Sequence, residues 1–357
     1  MSLAQLTLLL VDSPLEFTPT HAEHALSLLL EEHTHHTVAA AFLTAFHIHN
    51  LAQNPHMLAA CARALLNHAI LIPCNEGSTS SLEDWVDVVG TGGDGHATFN
   101  VSTTAALVAA GAGIKVAKHG NRASTSKSGS ADVLESLGCR LSLPASIHPI
   151  LLNKANFTFL FAQHHHPHLK HLAQLRKQLP FRTVFNVLGP LVNPARPACM
   201  LVGVAEPSMG RVMLEALREM GVKRAWVVCG AEGLDEISPA GMTHVWAFDA
   251  PSSDVREFVI DVAKDFGPLI QSHPLSEVSG GDADDNAQLL RDLLDGKMQP
   301  GDAILDFVLM NAAALLVVSG KAKTLSQGVD LAWASVKEGK AKQELDQWKE
   351  ETLRHHL

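Results

Sequence analysis

Two motifs in the first half of the chain contain groups that bind phosphate. An apolar run at residues 86–89 predicts a β-strand, and it ends at the sequence GTGGD, residues 90–94. Glycine tolerates backbone torsions that turn several N–H groups toward one point, and a loop of this kind binds anions. The sequence NVST, residues 100–103, precedes an alanine-rich helical run in which Asn100 or Ser102 is the expected N-cap. A helix N-terminus with hydroxyl groups is a second predicted anion site.

A third motif adds positive charge at the same predicted edge of a sheet. An apolar run at residues 114–117 ends at KHGNR, residues 118–122, which places cations at the carboxyl end of a strand, where open α/β sheets bind ligands. Each motif alone has an ordinary structural explanation as a turn, a cap or a solvated loop. Their close spacing favours a ligand with phosphate at both ends. The glycines match neither a P-loop nor a dinucleotide fingerprint, since no Lys-Ser/Thr pair follows them.

Together these motifs resemble the anthranilate phosphoribosyltransferase family. The resemblance runs from about residue 84 to residue 340. The matching segments are GTGGD at 90–94, NVST at 100–103, KHGNR at 118–122, SGSADVLESLG at 128–138, FNVLGPLVNP at 185–194, GLDEIS at 233–238 and GGDADDNA at 280–287.

The resemblance implies an enzyme of tryptophan biosynthesis. The family joins the amine of anthranilate to C1 of 5-phosphoribosyl 1-pyrophosphate and releases pyrophosphate, with Mg²⁺ as cofactor. The barrier falls when charge on the leaving group is stabilised and the amine is aimed at C1. An aromatic amine is already a neutral nucleophile at pH 7, so we predict no catalytic acid or base.

The family pattern also implies the residues of the site. Those expected to bind 5-phosphoribosyl 1-pyrophosphate are Gly90, Thr91, Gly92, Gly93, Asp94, Asn100, Ser102, Thr103 and Lys118. Those expected to bind anthranilate are His119, Asn121, His166 and Arg176. Ser102, Asp235 and Glu236 are expected to bind Mg²⁺. Adjacent acids in a loop are usually solvated charges, but these two follow a predicted strand at 225–229, and carboxylate oxygens suit Mg²⁺.

Two of these assignments compete with simpler explanations. Arg176 lies in a predicted amphipathic helix, residues 169–179, where arginine is ordinarily a surface residue, yet a guanidinium fits the carboxylate of anthranilate. The histidine-rich run at 164–168 suggests zinc, but histidine is frequent elsewhere in the chain, and the family pattern selects His166 alone. The family has a small residue where this chain has His168, so we expect a larger side chain at the wall of the anthranilate channel.

Composition limits the classes of partner. The 357 residues are 46% hydrophobic with a net charge of −10, which argues against nucleic acid or an anionic membrane as the main partner. The absence of tyrosine removes stacking surfaces for single-stranded nucleic acid. Five cysteines without CxxC spacing fit a reducing compartment.

The N-terminus resembles neither a signal nor a transit peptide, and no apolar run is long enough to span a bilayer, so we expect a soluble cytoplasmic protein.

The apolar pattern predicts an α/β fold in two parts. Residues 1–80 read as a small helical domain, and residues 81–357 as a larger α/β domain with a mainly parallel central sheet. A polar stretch at 75–83 is the expected linker. In the resembled family, helices from about residues 167–190 pack onto the small domain, and the molecule is a homodimer. Strands are predicted at 86–89, 114–117, 157–162, 199–204 and 225–229, with helices starting near 100, 130, 146 and 207.

Two alternatives stay open at this point. A pyrimidine nucleoside phosphorylase resembles the family in fold, but its KHSTGG motif is replaced here by VVGTGG at residues 88–93. A non-catalytic relative that only binds a phosphoribosyl ligand would be expected to lack Asp235, Glu236 or Arg176, and all three are present.

Overall fold

The computed structural model describes residues 1–73, 85–123 and 127–355. The predicted linker at 75–83 lies outside the described residues, as does the predicted domain boundary near residue 80.

The chain begins with four helices, α1 (Leu3–Asp12), α2 (Pro19–Leu29), α3 (His36–Ile48) and α4 (Pro55–Asn67). Polar side chains satisfy the first backbone N–H groups of three of them, because the residues before α1, α2 and α4 are Ser2, Thr18 and Asn54. Proline at the first position of α2 and α4 has no N–H that would need a partner. The helical character predicted for this region is confirmed.

A seven-stranded sheet forms the centre of the molecule, in the order β3-β2-β1-β4-β5-β6-β7. Strands β1 to β5 run parallel and include all five predicted strands, while β6 and β7 are antiparallel additions that the sequence pattern did not predict. The class, α/β with a mainly parallel sheet, is confirmed. The strands are β1 (Trp85–Gly90), β2 (Lys115–Gly120), β3 (Phe157–Phe161), β4 (Cys199–Gly203), β5 (Arg224–Gly230), β6 (Met242–Phe248) and β7 (Arg256–Asp261).

Helices cover both faces of the sheet, and the four starts predicted near residues 100, 130, 146 and 207 are confirmed. No helix in the described ranges is long and apolar enough to cross a bilayer. The remaining helices are α5 (Val101–Gly111), α6 (Ser130–Ser136), α7 (His148–Lys154), α8 (Ala162–His165), α9 (Ala173–Gln178), α10 (Ser208–Glu219), α11 (Val262–Asp265), α12 (Ala283–Leu294), α13 (Ala303–Val318), α14 (Leu325–Lys337) and α15 (Lys340–His355).

The segment 167–190 packs against the N-terminal helices. Leu172, Leu175 and Phe185 belong to the same buried apolar cluster as residues of α1 to α4, α10 and one face of the sheet. The helix predicted at 169–179 is shorter than expected, because only α9 is α-helical. Three single 3-10 turns, at Pro167–Leu169, Val184–Asn186 and Gly189–Leu191, form much of the rest of the segment. These contacts agree with a discontinuous small domain, which stays a prediction.

Candidate active site

The glycine loop follows β1 and contains two kinds of glycine. Gly92 and Gly93 have φ angles of +70° and +77°, in the left-handed region that side chains other than glycine rarely adopt. Gly90 has no such torsion. A Cβ at Gly90 would collide with the carboxylate of Asp235, and one at Gly203 would collide with the backbone carbonyl of Asp235. Glycine at 90 is therefore required by a close approach, which corrects the torsional reason expected for the whole loop.

Asp235 and Glu236 lie at the same sheet edge as this loop. The Asp235 carboxylate accepts a 2.6 Å hydrogen bond from the N–H of Gly92. Burial, followed by the negative charge of Asp94, raises the pKa of Asp235 to about 7. Burial and the charge of Asp235 raise the pKa of Glu236 well above its usual range, while Lys118 acts in the opposite direction. Without a cation, the two carboxyl groups are therefore not fully ionised at pH 7, and a bound cation would favour their charged forms.

The carboxylates fit a partial magnesium site. In the described ranges, no group of three or more His, Cys, Asp or Glu side chains is arranged to hold a metal ion by itself. Mg²⁺ is commonly bound by one or two carboxylates, with waters and substrate phosphates as the other ligands. The buried Asp235 and the partly buried Glu236, beside the loop predicted to bind an anion, have this incomplete donor set.

Lys118 connects the three motifs that are predicted to bind phosphate. Its side chain is 1% exposed, and its ammonium donates to the Val88 carbonyl at 2.7 Å and to Ser102 Oγ at 3.2 Å. Burial lowers the pKa of Lys118, and the charges of Asp87 and Glu236 oppose that shift. The ammonium thus lies between the strand that leads to the glycine loop and the first turn of α5.

The N-terminus of α5 has unpaired polar groups. Asn100 is the N-cap residue, which confirms one of the two predicted choices, while Ser102 lies inside the first turn. The Asn100 side chain makes no capping hydrogen bond. Asn100 Oδ1 and Thr103 Oγ1 are buried and have no hydrogen-bond partner among the described residues. A buried polar atom without a partner costs about 1–3 kcal/mol, so these atoms point to a ligand that satisfies them.

Two buried histidines, His119 and His166, contact each other edge to face, with ring centroids 5.4 Å apart. His166 Nε2 is paired with the Val192 carbonyl at 2.9 Å, whereas His166 Nδ1 and His119 Nε2 have no described partner. Burial lowers the pKa of His166 to about 4 and that of His119 well below its usual range. Both rings are therefore neutral at pH 7, with one nitrogen each available to a ligand.

Arg176 on α9 is partly buried and carries an uncompensated charge. Its guanidinium lies 5.1 Å from the centre of the Phe185 ring, and no described carboxylate pairs with it. Burial lowers its pKa. Asn121 is exposed at the end of β2, where its Oδ1 accepts from Arg122 N at 2.8 Å and from Gln163 Nε2 at 3.2 Å.

Comparison with known proteins identifies the family. A family model described as "Glycosyl transferase family, a/b domain" matches residues 82–342. The anthranilate phosphoribosyltransferase of Schizosaccharomyces pombe is 45% identical over 327 residues, which cover 90% of this chain and 89% of that protein. The chain belongs to the anthranilate phosphoribosyltransferase family. The resemblance carried by the motifs is confirmed.

Solved anthranilate phosphoribosyltransferase structures from Saccharomyces cerevisiae share the fold. One, in complex with PRPP and Mg, is 32% identical and covers 99% of this chain and 98% of that chain, with a TM-score of 0.89. Another, in complex with 4-fluoroanthranilate, is 31% identical, with the same coverage and a TM-score of 0.89.

The motifs of this anthranilate phosphoribosyltransferase family member did not predict two residues near the site, Arg182 and Asp87. Arg182 donates to the carbonyls of Gly92 at 3.1 Å and Gly93 at 3.4 Å, joining the segment after α9 to the glycine loop. Its position just before the FNVLGP motif is the signal that could have revealed it. Asp87, inside an apolar strand, is fully buried and accepts from Asn193 Nδ2 at 2.8 Å.

Arg182 also borders a cavity of about 140 Å³ between α3 and the end of β4, lined in part by His47, Glu206 and Met209.

His168, the departure from the family pattern, lies against His68 with ring centroids 5.7 Å apart. The unusual side chain is thus directed toward the residue that follows α4.

Proposed function

We propose that this chain transfers the phosphoribosyl group of 5-phosphoribosyl 1-pyrophosphate to the amine of anthranilate, giving N-(5-phosphoribosyl)anthranilate and pyrophosphate in tryptophan biosynthesis. The observation that carries this proposal is the convergence of the glycine loop, Lys118 and the Asp235-Glu236 pair at one sheet edge. The S. cerevisiae relative was solved with PRPP and Mg, and with an anthranilate analogue.

The sheet edge has the groups that a pyrophosphate needs. Backbone N–H groups of the glycine loop and of the first turn of α5 donate to phosphate oxygens, and Lys118 contributes a fixed positive charge. The buried Asn100 Oδ1 and the hydroxyl of Thr103 are available to ribose or phosphate groups. The residues assigned to this ligand are Gly90, Thr91, Gly92, Gly93, Asp94, Asn100, Ser102, Thr103 and Lys118.

Ser102, Asp235 and Glu236 are the residues that would hold Mg²⁺. When bound, the ion neutralises charge on the pyrophosphate leaving group. Asp235 is held in place for this role by its bond from Gly92, so its position depends on the same loop that cradles the phosphates. Oriented carboxylates of this kind need no reorganisation as the leaving group gains charge.

Anthranilate is assigned to a separate set of residues from the phosphates and Mg²⁺. These residues are His119, Asn121, His166 and Arg176. The Arg176 guanidinium pairs with the carboxylate, and the free nitrogens of His119 and His166 offer hydrogen bonds to the ring substituents. The amine nitrogen then forms the bond to C1 as the bond from C1 to the pyrophosphate oxygen breaks, and the nitrogen afterwards releases one proton to the departing pyrophosphate or to solvent. These side chains orient a neutral nucleophile, and none has to remove a proton before attack.

Loss of anthranilate fluorescence on incubation with 5-phosphoribosyl 1-pyrophosphate and Mg²⁺ tests the proposal. We expect turnover that requires all three components. A chain that instead cleaves pyrimidine nucleosides with inorganic phosphate would be a nucleoside phosphorylase. Calorimetric binding of 5-phosphoribosyl 1-pyrophosphate without any turnover would indicate a non-catalytic binding protein.

We also propose that the protein is a homodimer. Leu8 and Val11 on α1, Leu15 after it and Ile48 on α3 are large apolar side chains that are 56% or more exposed, and α1 packs against α3. A second copy of the chain would cover this surface, because exposed apolar groups on neighbouring helices favour self-association. Leu8→Asp combined with Val11→Asp should shift the mass in solution from dimer to monomer, and a monomeric parent chain would contradict the assignment.

The cytoplasm is the proposed location. Cys61, Cys139 and Cys229 are buried free thiols, and free thiols persist in a reducing compartment. Fractionation of cells with an antibody to the chain tests this location.

A further inference from the structure

Asn286, in the GGDADDNA motif, forms hydrogen bonds to two separate parts of the chain. It lies on the first turns of α12 and is 2% exposed. Its Oδ1 accepts from the backbone N–H of Asn100 at 3.3 Å, and its Nδ2 donates to Ser128 Oγ at 3.0 Å. Nδ2 also lies 3.0 Å from the Gly281 carbonyl and 2.8 Å from the Asp282 carbonyl. Because Oδ1 faces the Asn100 N–H donor and Nδ2 faces two carbonyl acceptors, these partners define the orientation of the Asn286 amide.

The first of these segments leads into α5. Residues 97–99 pair with the chain before α12, because Phe99 N donates to the Val278 carbonyl and Gly280 N to the Ala97 carbonyl, each at 2.8 Å. A Cβ at Gly280 would lie 2.8 Å from Asn286 Oδ1, so glycine is needed for this close packing. The bond from Asn100 N to Asn286 continues this backbone pairing by one residue. This bond fixes the backbone of Asn100, whose own Oδ1 is buried and has no hydrogen-bond partner in the part of the chain that the structure describes.

The second segment comprises residues 127–129, immediately before α6, and contains Ser128. A Cβ at the neighbouring Gly129 would lie 2.6 Å from the carbonyl of Asn121. That carbonyl also accepts from Ala131 N at 3.2 Å. The Ser128 segment is therefore packed directly against the residue assigned to the anthranilate side.

We propose that Asn286 is a positioning residue that holds the Asn100 segment and the Ser128 segment in fixed relation, so that the two substrates meet in the geometry needed for transfer. This inference rests on the proposed function for the roles of Asn100 and Asn121. Asn286 itself touches neither substrate in this assignment. Its contribution is to the shape of both binding segments, because misplacement of reacting groups by a fraction of an ångström lowers the rate.

Three variants separate the contacts. Asn286→Ala removes every bond and leaves the N–H of Asn100 without its acceptor. Asn286→Asp keeps the acceptor for the N–H of Asn100. It replaces Nδ2 with a carboxylate oxygen, which the carbonyl oxygens of Gly281 and Asp282 repel. Ser128→Ala removes the bond between the two side chains and leaves the bond from Asn100 N to Asn286 in place. Thr352→Val is the matched control, since its buried hydroxyl accepts from Arg140 N at 3.1 Å and donates to the Lys349 carbonyl at 2.7 Å in the C-terminal region.

Calorimetry with 5-phosphoribosyl 1-pyrophosphate and Mg²⁺, together with Tm and steady-state constants, tests the proposal. For Asn286→Ala and Asn286→Asp we expect the Kd to rise about tenfold or more and the KM for anthranilate to rise as well. Thr352→Val should lower Tm without changing either constant. In the double variant Asn286→Ala/Ser128→Ala, the effect on anthranilate should not exceed that of Asn286→Ala alone, because the shared bond is already lost.

A Kd and an anthranilate KM within about twofold of the parent in Asn286→Ala, with a Tm loss like that of the control, would overturn the positioning role. If Asn286→Ala does not fold, Ser128→Ala decides: we expect its KM for anthranilate to rise about threefold, and unchanged constants would overturn the proposal. Turnover by the unaltered chain is measured first. Its absence would count against the proposed function and not against Asn286.

Discussion

The Asp235 carboxylate accepts a 2.6 Å hydrogen bond from the backbone N–H of Gly92, although the two residues are 143 positions apart in the chain. The bond joins the loop after β5 to the loop after β1, and Gly90 and Gly203 leave no room for a side chain beside it. Asp235, which is expected to bind the metal, therefore packs directly against the glycine loop.

Neutralising the acidic pair should abolish most of the activity while the fold persists. The double variant Asp235→Asn/Glu236→Gln keeps the shape but removes the charge that would bind Mg²⁺, at a cost of about 3 kcal/mol or more in transition-state stabilisation. kcat/KM at limiting Mg²⁺ measures the loss. Near-parental activity would show that the pair is not the metal site.

Gly203→Ala should disturb the site through Asp235. The added methyl group collides with the Asp235 backbone, so we expect a destabilisation of about 1–3 kcal/mol and a fall in kcat/KM. Gly241→Ala is the control, because a Cβ there meets nothing within 4 Å. Denaturant unfolding and kinetics compare the two, and equal behaviour would contradict the close packing.

Gly93→Val should weaken phosphoribosyl pyrophosphate binding far more than stability. Gly93 has a φ of +77°, which disfavours a side chain. The new Cβ would also lie 3.1 Å from the Arg182 guanidinium, which contacts the glycine loop. Gly113→Val imposes a comparable strain, at a φ of +91°, beyond the C-terminus of α5. Titration calorimetry should show reduced affinity only for Gly93→Val. If its affinity is unchanged, the loop is merely structural.

Arg176→Ala should affect anthranilate alone. A charge-assisted hydrogen bond contributes about 1.5 to 3 kcal/mol, so the KM for anthranilate should rise roughly tenfold to a few hundredfold. The KM for 5-phosphoribosyl 1-pyrophosphate should stay nearly constant, and Lys118→Ala should show the reverse pattern. Lys177→Ala, an exposed neighbour on α9, is the control. Equal damage to both constants in Arg176→Ala would place its guanidinium near the phosphates.

Acid should destabilise the protein through its buried histidines. Burial lowers the pKa of His165 and His166 to about 4, and the pKa values of His119 and His148 fall well below the usual 6.5. The unfolded chain binds these protons first, so stability is lost as pH falls from about 6.5 toward 4, by up to about 1.4 kcal/mol per pH unit for each histidine.

Chemical unfolding at several pH values measures that slope. His165→Gln should make the slope shallower, because one group that takes up a proton on unfolding is gone. A parental slope in this variant would show that His165 is protonated in the folded state.

Local sequence determined much of this protein. Five parallel strands, the N-terminal helices and the positive-φ glycines follow from apolar periodicity, capping residues and the conformational freedom of glycine, which act within a few residues. The order of the motifs along the chain was also sufficient for the family resemblance, because each motif is a contiguous segment.

Only the tertiary structure decided which residues meet. The need for glycine at 90 and 203, the bond from Arg182 to the glycine loop and the contacts of Asn286 all join segments that are distant in the chain. Asn100 is the N-cap residue of α5, as one of the two predicted choices, but the structure decides its contacts: its side chain makes no capping bond, and its backbone N–H donates to Asn286 of another helix. Such contacts depend on how complete elements pack, and a local pattern contains no information about a partner that is distant in the chain.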